Sequence, residues 1–566
     1  MLCTGSSQEK AFGALVAREF GLSNQLGEIL YGRGIVTMEQ AQAYLHPHLS
    51  SLPLPETMKG MREAVACITE NRRKNNPIFI HGDYDVDGIT ATSLLMGFFK
   101  EMGWESFYYI PNRLEERYGL SIHSLDRLLA QCPNKKGLVI SVDCGITAFN
   151  EVEYVKSLGY RMIVTDHHEP QETLPKADAL LNPKQKGCAF PCSWLSGAGV
   201  AFYLITALRK ALSVDINLKK YLDLVALGTV ADVMPLLGVN RALVRAGLEV
   251  LSARNRKGIA SLCRQCGLEE GRGLLAEDIA YKLAPRINAS GRLGCPKKGV
   301  ELLLADNTLQ AEQTALVLDQ LNTRRKELES EVLPEIDVLS AAQSREGARG
   351  LVVYKHDCHP GIVGILASRV AERYNRPALV FANDPDEKHL GLVKGSGRSI
   401  KGIDLLQVLV RCSPVLEQFG GHAMAVGVTL RKDNLAEFSQ IFNTQLSQFD
   451  NEFISNAQII VDYAMTCSAE LSTALARSLQ WMQPFGEGNT EPIFMLPDQR
   501  LHAPRIKNGH VLFQLQGKER RFAGVGFHLA HTAELDRPTR LIFQLKQTWY
   551  QGKRREQIVA LDISPH

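Results

Sequence analysis

Residues 77–88 read PIFIHGDYDVDG, a short apolar segment that runs directly into a cluster of charged side chains. Residues 77–80 predict a buried β-strand, and the apolar run at 89–99 predicts a buried helix. Parallel α/β sheets place their ligands where a strand turns into a helix. The titratable side chains at this point are His81, Asp83, Asp85 and Asp87. Because such groups repel one another unless a cation neutralises them, we predict a metal site; the alternative is a solvated loop with capping aspartates.

The bulk composition is that of a multidomain globular protein. Its 566 residues are too many for one core, so three or four domains are expected. With 64 basic and 61 acidic residues the net charge is +3, so a nucleic-acid ligand would need a local basic groove. We expect no signal peptide and no segment of about 18 apolar residues that could span a membrane. Twelve scattered cysteines fit a reducing compartment, so we predict a cytoplasmic protein.

Composition and periodicity divide the chain into five segments. They are a helical lead-in at 1–75, a strand–helix alternation at 76–305 that predicts a mostly parallel sheet, a charged connecting helix at 306–347, a second α/β unit at 348–432, and short strands at 433–566. The connecting helix is expected to be broken once, near Pro334.

Three further apolar segments each end on residues of a metal-binding type. They are a strand at 137–142 followed by Asp143, a strand at 161–165 followed by Asp166-His167-His168, and a helical segment at 221–230 followed by Ala231-Asp232. Strand ends converge at one edge of an open α/β sheet. We therefore expect six side chains to surround one point: His81, Asp85, Asp87, Asp143, His167 and Asp232.

Two divalent ions about 3.5–4 Å apart would suit this set, because a carboxylate can bridge them. Mixed histidine and aspartate ligation favours Mn²⁺, or Mg²⁺ as a weaker fit, over a thiolate-rich zinc site. Asp143 is the natural bridging residue, because it stands alone at the end of its strand. The alternative for Asp143 or Asp232, taken singly, is a helix cap or a turn residue.

Four motifs, in order along the chain, resemble those of the DHH phosphoesterase superfamily. They are HGDYDVDG at 81–88, SVDCGI at 141–146, TDHH at 165–168 and VALGTVADVMPL at 225–236. Within that superfamily the chain is most similar to RecJ-type single-stranded-DNA exonucleases. The further matching stretches are PNR at 111–113, YGL at 118–120, APRINASGR at 284–292, GSGRS at 395–399, GGHAMAVG at 420–427 and PFGEGNTEPIF at 484–494. Arg117 and Gly294 depart from the pattern, where glycine and an acidic residue are usual.

This resemblance implies a division of the metal ligands. One metal would be held by His81, Asp85 and Asp143, and the other by Asp87, Asp143, His167 and Asp232. The two catalytic candidates, Asp83 and His168, would lie beside the metals. Asp83 would orient a ligand, and His168 would donate to the scissile phosphate or its leaving oxygen; the alternative is support without proton transfer.

The resemblance also implies a phosphate clamp in the second α/β unit. Ser396 and Arg398, with Arg113 opposite, would hold a terminal phosphate across a cleft from the metals, because guanidinium groups bind phosphate oxygens in pairs and glycine turns expose backbone N–H groups. The implied substrate-binding residues are Arg113, Tyr118, Arg286, Asn288, Arg292, Ser396, Arg398 and His422. Without the resemblance, the glycine-rich turns would be ordinary loop punctuation.

The strands of the last segment interleave basic and aromatic residues. This pattern suits a small barrel that tracks a single nucleic-acid strand by stacking and charge, and the alternative is a plain β-domain with a solvated basic rim. The predicted fold class is therefore α/β: a parallel-sheet DHH domain, a long helix, a second α/β DHH-associated domain, and an OB-like β-barrel.

The function favoured by these features is a two-metal hydrolase that cuts phosphodiester bonds in single-stranded DNA. The resemblance implies degradation from the 5′ end to mononucleotides, a role in recombination and repair, a monomer, and a single-stranded-DNA-binding protein and a helicase as partners. Two alternatives stay open. One is a phosphodiesterase for cyclic dinucleotides or very short RNA, and the other is an inactive relative that only binds nucleic acid.

Overall fold

The structure, a computed structural model, describes residues 6–112, 116, 119–384, 391–449, 459–530, 537–550 and 553–565. These residues form three β-sheets, each the centre of one domain. In this part of the chain no helix is long and apolar enough to cross a membrane.

Helices dominate the first 345 residues. They are α1 (Ser7–Phe20), α2 (Asn24–Gly32), α3 (Met38–Leu45), α4 (Met61–Arg73), α5 (Val86–Glu101), α6 (Ile122–Leu129), α7 (Phe149–Ser157), α8 (Gly197–Leu212), α9 (Leu222–Ala231), α10 (Gly238–Ala253), α11 (Lys257–Gln265), α12 (Ala276–Asp278), α13 (Ala284–Arg292), α14 (Lys297–Leu303) and α15 (Thr308–Arg345). A π-helical turn, Ile279–Leu283, joins α12 to α13.

The first sheet is parallel throughout, as predicted. Its strands are β1 (Ile78–Gly82), β2 (Ser106–Tyr109), β3 (Leu138–Val142), β4 (Arg161–Thr165) and β5 (Ala179–Leu181), in the order β2-β1-β3-β4-β5. Every residue of β1 and β3 is buried, because helices cover both faces of the sheet. Gly82 pairs with Val142, and Val142 pairs with Thr165, so β1, β3 and β4 end at the same edge.

The connecting helix α15 runs without interruption through Pro334, so the predicted break was wrong. A proline inside a helix removes one backbone hydrogen bond and costs about 3 kcal/mol. Here Val332 and Ile336, on either side of Pro334, are buried against Leu351 and other residues of the second domain. This packing accounts for the continuity of the helix at a position where local propensity alone would end it.

The second sheet is mixed. Its strands are β6 (Leu351–Tyr354), β7 (Ala378–Asn383), β8 (Leu392–Arg398), β9 (Gln418–His422) and β10 (Ala425–Arg431), in the order β6-β7-β8-β10-β9. Its helices are α16 (Val363–Tyr374), α17 (Leu405–Cys412) and α18 (Leu435–Leu446). The ring of Phe438 packs edge-on against Phe381 of β7, with centroids 5.8 Å apart. Helix α18 is therefore part of this domain, which extends beyond the expected boundary at residue 432.

The third sheet has seven strands. They are β11 (Tyr463–Ala464), β12 (Ile493–Gln499), β13 (His502–Lys507), β14 (His510–Gln516), β15 (Arg521–Gly526), β16 (Thr539–Tyr550) and β17 (Lys553–Pro565), in the order β11-β12-β16-β17-β15-β14-β13. A short helix, Thr473–Ser478, precedes β12.

The N-terminal helices pack on this last domain rather than on the sheet that follows them in sequence. Phe12, Val16 and Leu26 share one buried cluster with Leu475 and Phe494. The backbone N–H of Ser23 also donates to Ser478 Oγ at 2.8 Å. Helix α4, by contrast, packs in the core of the first domain. The lead-in therefore splits, and its first part ties the two ends of the chain together.

Candidate metal centre

The turn after β1 positions its aspartates through hydrogen bonds to the start of α5. Asp85 caps the helix, because its Oδ1 accepts from Asp87 N at 2.9 Å and from Gly88 N at 3.1 Å. Asn288 supports the same turn, since its Oδ1 accepts from Val86 N at 3.2 Å. Asp85 therefore caps the helix through Oδ1.

Asp87 is held by the N-terminus of α8. Its two carboxylate oxygens accept from the backbone N–H groups of Gly197 and Ala198, the latter at 2.9 Å. On its other side, a Cβ added to Gly228 would lie 2.3 Å from Asp87 Oδ1. The sequence analysis missed this support. The Ser196-Gly197-Ala198-Gly199 stretch, a capping serine followed by small residues, was the available signal.

Asp143 leaves the end of β3 in the left-handed region, with a φ of 62°. Its backbone N–H donates to Thr165 O at 3.0 Å, which fixes it beside the end of β4. A Cβ on Gly197 would lie 2.7 Å from Asp143 Cβ, so this glycine permits α8 to approach.

Three carboxylates surround one nitrogen of His167. Its Nε2 lies 2.9 Å from Asp143 Oδ1, 3.5 Å from Asp232 Oδ2 and 3.8 Å from Asp87 Oδ2. Burial, followed by the charge of His168, lowers the pKa of His167 to about 3, so the imidazole is neutral. These contacts are therefore not ion pairs. A neutral imidazole among carboxylates is the form that binds a cation.

The ligand atoms form three groups, in each of which they lie within 4.8 Å of one another. The groups are Asp83-Asp85-Asp143, Asp87-His167-Asp232 and Asp143-His167-His168. Five of the six predicted ligands belong to these groups, and Asp143 and His167 each belong to two of them; the bridging role of Asp143 stays a prediction. Asp83, predicted beside the metals, lies among the potential ligands.

His81 lies outside all three groups. It is fully buried, its Nε2 lies 2.8 Å from Ser124 Oγ, and its Nδ1 lies 3.8 Å from Cys144 Sγ. Burial lowers its pKa to about 4. Because both ring nitrogens face other side chains, these contacts do not favour His81 as a ligand, and that role stays a prediction.

Several polar atoms at the centre are buried without a hydrogen-bond partner among the described residues. They are Asp143 Oδ1, Asp232 Oδ2 and both ring nitrogens of His167. Burial, followed by the charges of Asp87 and Asp85, raises the pKa of Asp143 well above its usual value. Burial, followed by the charge of Asp85, raises the pKa of Asp87 to about 7. Buried carboxylate oxygens and imidazole nitrogens that have no hydrogen-bond partner among the described residues are suitable ligands for divalent cations.

Asp166 was given no role by the sequence analysis, but it orients His168. Its carboxylate accepts from Ile146 N at 2.9 Å, from His167 N at 2.7 Å and from His168 Nδ1 at 2.7 Å. Although burial opposes ionisation, these interactions lower the pKa of Asp166 to about 2. Against the same opposing effect of burial, Asp166 raises the pKa of His168 to about 9.

The predicted substrate residues fall into two sets. Arg286 donates to Asp319 Oδ1 at 2.8 Å and Asn288 accepts from Val86 N, so both brace the fold around the site. Arg398 donates to Ser396 Oγ at 3.1 Å. Burial, followed by the charges of Arg398 and His168, lowers the pKa of His422. Arg113 and Tyr118 lie outside the described residues.

A cavity of about 220 Å³ lies between the first and second domains. Its lining residues are Arg292, Gly364, Ile365, Ser368, Arg369, Glu372 and Arg398. Arg292 also donates to Gly361 O at 3.1 Å and so ties the two domains together beside the cavity. Three guanidinium groups against one carboxylate suit an anion with several oxygens. The sequence analysis found two of the arginines but missed Ser368 and Arg369, which lie on α16 in no recognisable motif.

Models of three protein families match the chain. The DHH family, N-terminal domain, matches residues 77–229, the DHHA1 domain matches residues 347–448, and the RecJ OB domain matches residues 461–562.

Curated relatives match almost the whole length. The single-stranded-DNA-specific exonuclease RecJ of Salmonella typhimurium is 36% identical over 536 residues, covering 90% of this chain and 91% of that protein. The protein of the same name from Escherichia coli is 36% identical over 538 residues, with 90% and 91% covered. The chain belongs to the RecJ family.

Solved RecJ structures agree with this assignment. RecJ from Thermus thermophilus in complex with Mn²⁺ gives a TM-score of 0.82 at 29% identity, covering 98% of this chain and 78% of that chain. Its complex with Mg²⁺ gives 0.77 at 28% identity, with 98% and 77% covered. The resemblance and the fold class predicted from the sequence, including the OB-like last domain, are confirmed. Mn²⁺ and Mg²⁺, the metals in these two RecJ structures, are the metals predicted from the ligand types.

Proposed function

We propose that this protein is a metal-dependent exonuclease that hydrolyses single-stranded DNA from its 5′ end to mononucleotides, in DNA recombination and repair. The observation that carries the proposal is the convergence of Asp85, Asp87, Asp143, His167 and Asp232 at one sheet edge. Its support is membership of a family whose curated members are single-stranded-DNA-specific exonucleases.

We assign the ligands as two sets that share Asp143. Asp83, Asp85 and Asp143 would hold one divalent ion, and Asp87, Asp143, His167 and Asp232 the other. This assignment replaces His81 by Asp83, because the ring of His81 faces Ser124 and Cys144. When bound, two such ions supply an activated water and neutralise charge that develops on the phosphate.

The chain's own residues orient the reaction around these ligands. Asp166 fixes the ring of His168 by accepting from its Nδ1 at 2.7 Å. We propose that His168 donates to the scissile phosphate or to its leaving oxygen, as the position of its ring beside Asp143 and His167 permits. The N-terminus of α8 keeps Asp87 in place through two backbone N–H groups.

We propose that the arginine-lined cavity sets the direction of cleavage. Arg292 and Arg398 lie on opposite domains at its wall, and Ser396 supports Arg398. We propose that this cavity receives the terminal 5′ phosphate, with Arg113 as a further contact. An enzyme that grips the chain end at a fixed distance from its metals cleaves one nucleotide at a time.

The last domain would hold the single strand that leads away from the cleft. Its strands expose basic residues, among them Arg505, Lys507 and Arg521, as a groove that follows a phosphate backbone requires. The family resemblance further supports a cytoplasmic monomer that works with a single-stranded-DNA-binding protein and a helicase.

The deciding experiment uses single strands labelled at either end, incubated with Mn²⁺ or with EDTA. The proposal expects labelled mononucleotide at once from the 5′ label, late release from the 3′ label, and no cleavage in EDTA. Faster hydrolysis of dinucleotides than of long strands would indicate the phosphodiesterase alternative. Binding without cleavage in every metal would indicate an inactive relative.

A further inference from the structure

The loop that follows Asp232 rests on a turn of the C-terminal domain. The backbone N–H of Leu236 donates to Glu487 O at 2.8 Å, and the side chain of Leu236 is buried. A Cβ added to Gly486 would lie 2.7 Å from Leu236 Cδ1. Gly488 approaches the same loop and has a φ of +69°, which favours glycine. The loop after Asp232 and the turn therefore pack so closely that residues larger than glycine do not fit at positions 486 and 488 of the turn.

The turn itself has a fixed shape. The backbones of Gly486 and Asn489 exchange two hydrogen bonds, of 3.0 and 3.1 Å. The side-chain amide of Asn489 donates to Met482 O at 2.8 Å and to Pro484 O at 2.7 Å, and its oxygen accepts from Tyr44 OH at 2.6 Å. With its side chain fully engaged, Asn489 makes the turn a rigid support.

Asp232, in contrast, depends on its backbone for its position. It closes α9, its N–H donates to Gly228 O at 2.9 Å, and the next residue, Val233, adopts a φ of 56°. Its buried Oδ2 has no hydrogen-bond partner among the described residues. Asp87 is fixed by two N–H groups of α8, whereas Asp232 stands at the end of α9, four residues before Leu236, and its Oδ2 has no such support among the described residues.

We propose that the turn at residues 485–489 is a positioning element for Asp232, through which the C-terminal domain sets the affinity of one of the two metal sites. This inference rests on the proposed assignment of Asp232 as a ligand. Supporting residues around a ligand commonly change metal affinity about 10–100-fold when they are altered. The site formed by Asp83, Asp85 and Asp143 makes no use of this loop and keeps its affinity.

The test is Gly486→Ala in the full-length protein, with Mn²⁺ binding measured from the electron paramagnetic resonance signal of the free ion, without DNA. We expect one of two sites to bind about tenfold more weakly and the other to be unchanged. Cleavage at saturating Mn²⁺ should recover, with only the half-saturating concentration raised. Gly524→Ala is the matched control, because its Cβ would lie 2.3 Å from Phe513 inside the same domain and far along the chain from the turn. It should lower stability without changing Mn²⁺ affinity.

Two further variants separate the possible failures. Asp232→Asn should lose one Mn²⁺ site, and retention of both sites would overturn the ligand assignment itself. If Asp232→Asn loses a site while Gly486→Ala binds both ions like the wild type, the positioning role alone is wrong. Should Gly486→Ala not fold, Leu236→Ala removes the contact from the other side and carries the same expectation.

Discussion

Arg241 and Asp143 are each only 1% exposed to solvent, and each carries an ionisable group into the interior. Arg241, on α10, donates to the carbonyl oxygens of Tyr44 at 2.8 Å, Met482 at 2.9 Å and Trp481 at 3.0 Å. Asp143 Oδ1 has no hydrogen-bond partner among the described residues, and burial, followed by the charges of four other carboxylates, raises the pKa of Asp143.

The difference teaches how to separate structural from functional charge in one molecule. A buried charge costs several kcal/mol unless it is compensated. Arg241 is compensated by the chain itself, at a junction of three segments distant in sequence, so its role ends with the fold. At the edge of the first sheet, Asp143 and Asp232 each keep a buried carboxylate oxygen without such a partner among the described residues, which suits them to bind cations. The predictions below test this contrast.

The largest effect is expected from Asp143→Ala. Because Asp143 belongs to both ligand sets, its loss should lower cleavage of single-stranded DNA more than about 1,000-fold, or ~4 kcal/mol in the activation barrier. Binding of the strand, measured by fluorescence anisotropy, should remain detectable. Wild-type turnover in this variant would refute the bridging role. Asp143 would then no longer be an example of a functional buried charge to set against Arg241.

Arg241→Met should act on stability instead. It removes the donor to three buried carbonyl oxygens, of which Met482 O keeps the side-chain amide of Asn489 as a partner. The oxygens of Tyr44 and Trp481 each lose a donor at roughly 1 kcal/mol, so the free energy of unfolding should fall by about 2 kcal/mol. Denaturant titration should show this loss equally in EDTA and in Mn²⁺. A loss that appears only with Mn²⁺ would mean that Arg241 acts through the metal centre and is no purely structural charge.

The cluster of aspartates at the metal site could largely be predicted from the sequence, whereas the buried contacts of Arg241 could not. Aspartates that follow apolar strands are a local pattern, and parallel strands converge, so the site could be predicted from residues 77–88 and three similar segments. The partners of Arg241 lie about 200 residues before it and 240 after it in the chain, and no local pattern links them.

Long-range packing also limits what the sequence predicts within the site. His81 lies one residue from the end of β1, and its Nε2 lies 2.8 Å from Ser124 Oγ, on a helix about 40 residues later, a contact that no local pattern predicts; its role as a metal ligand stays a prediction. The unbroken path of α15 through Pro334 depends likewise on Val332 and Ile336 packing on another domain. The contacts that the sequence did not predict are those between residues far apart along the chain.

Arg398→Ala should have an intermediate effect confined to the end of the substrate. Loss of one charge-assisted contact to a phosphate costs about 2 kcal/mol, so cleavage of 5′-phosphorylated strands should fall roughly 30-fold. Strands that begin with a 5′ hydroxyl are the matched control and should be cleaved at the wild-type rate. An equal loss on both substrates would assign Arg398 to the general shape of the cleft rather than to a terminal clamp.

The smallest effect is expected in the pH dependence of stability of the metal-free protein, and it concerns Asp87. Burial and neighbouring charge raise the pKa of Asp87 to about 7, so in the metal-free protein this group contributes stability that is present at low pH and lost as pH rises through 7. Between pH 6 and pH 8 one such group changes the free energy of unfolding by about 1 kcal/mol. Denaturant titration in EDTA should therefore find the wild type more stable, relative to Asp87→Asn, at pH 6 than at pH 8. In Mn²⁺ the wild type should lose this trend, because the ions replace the protons. If wild type and variant showed the same pH dependence in EDTA, burial and the charge of Asp85 would not raise the pKa of Asp87 in the metal-free protein, and the contrast with Arg241 would fail at that residue.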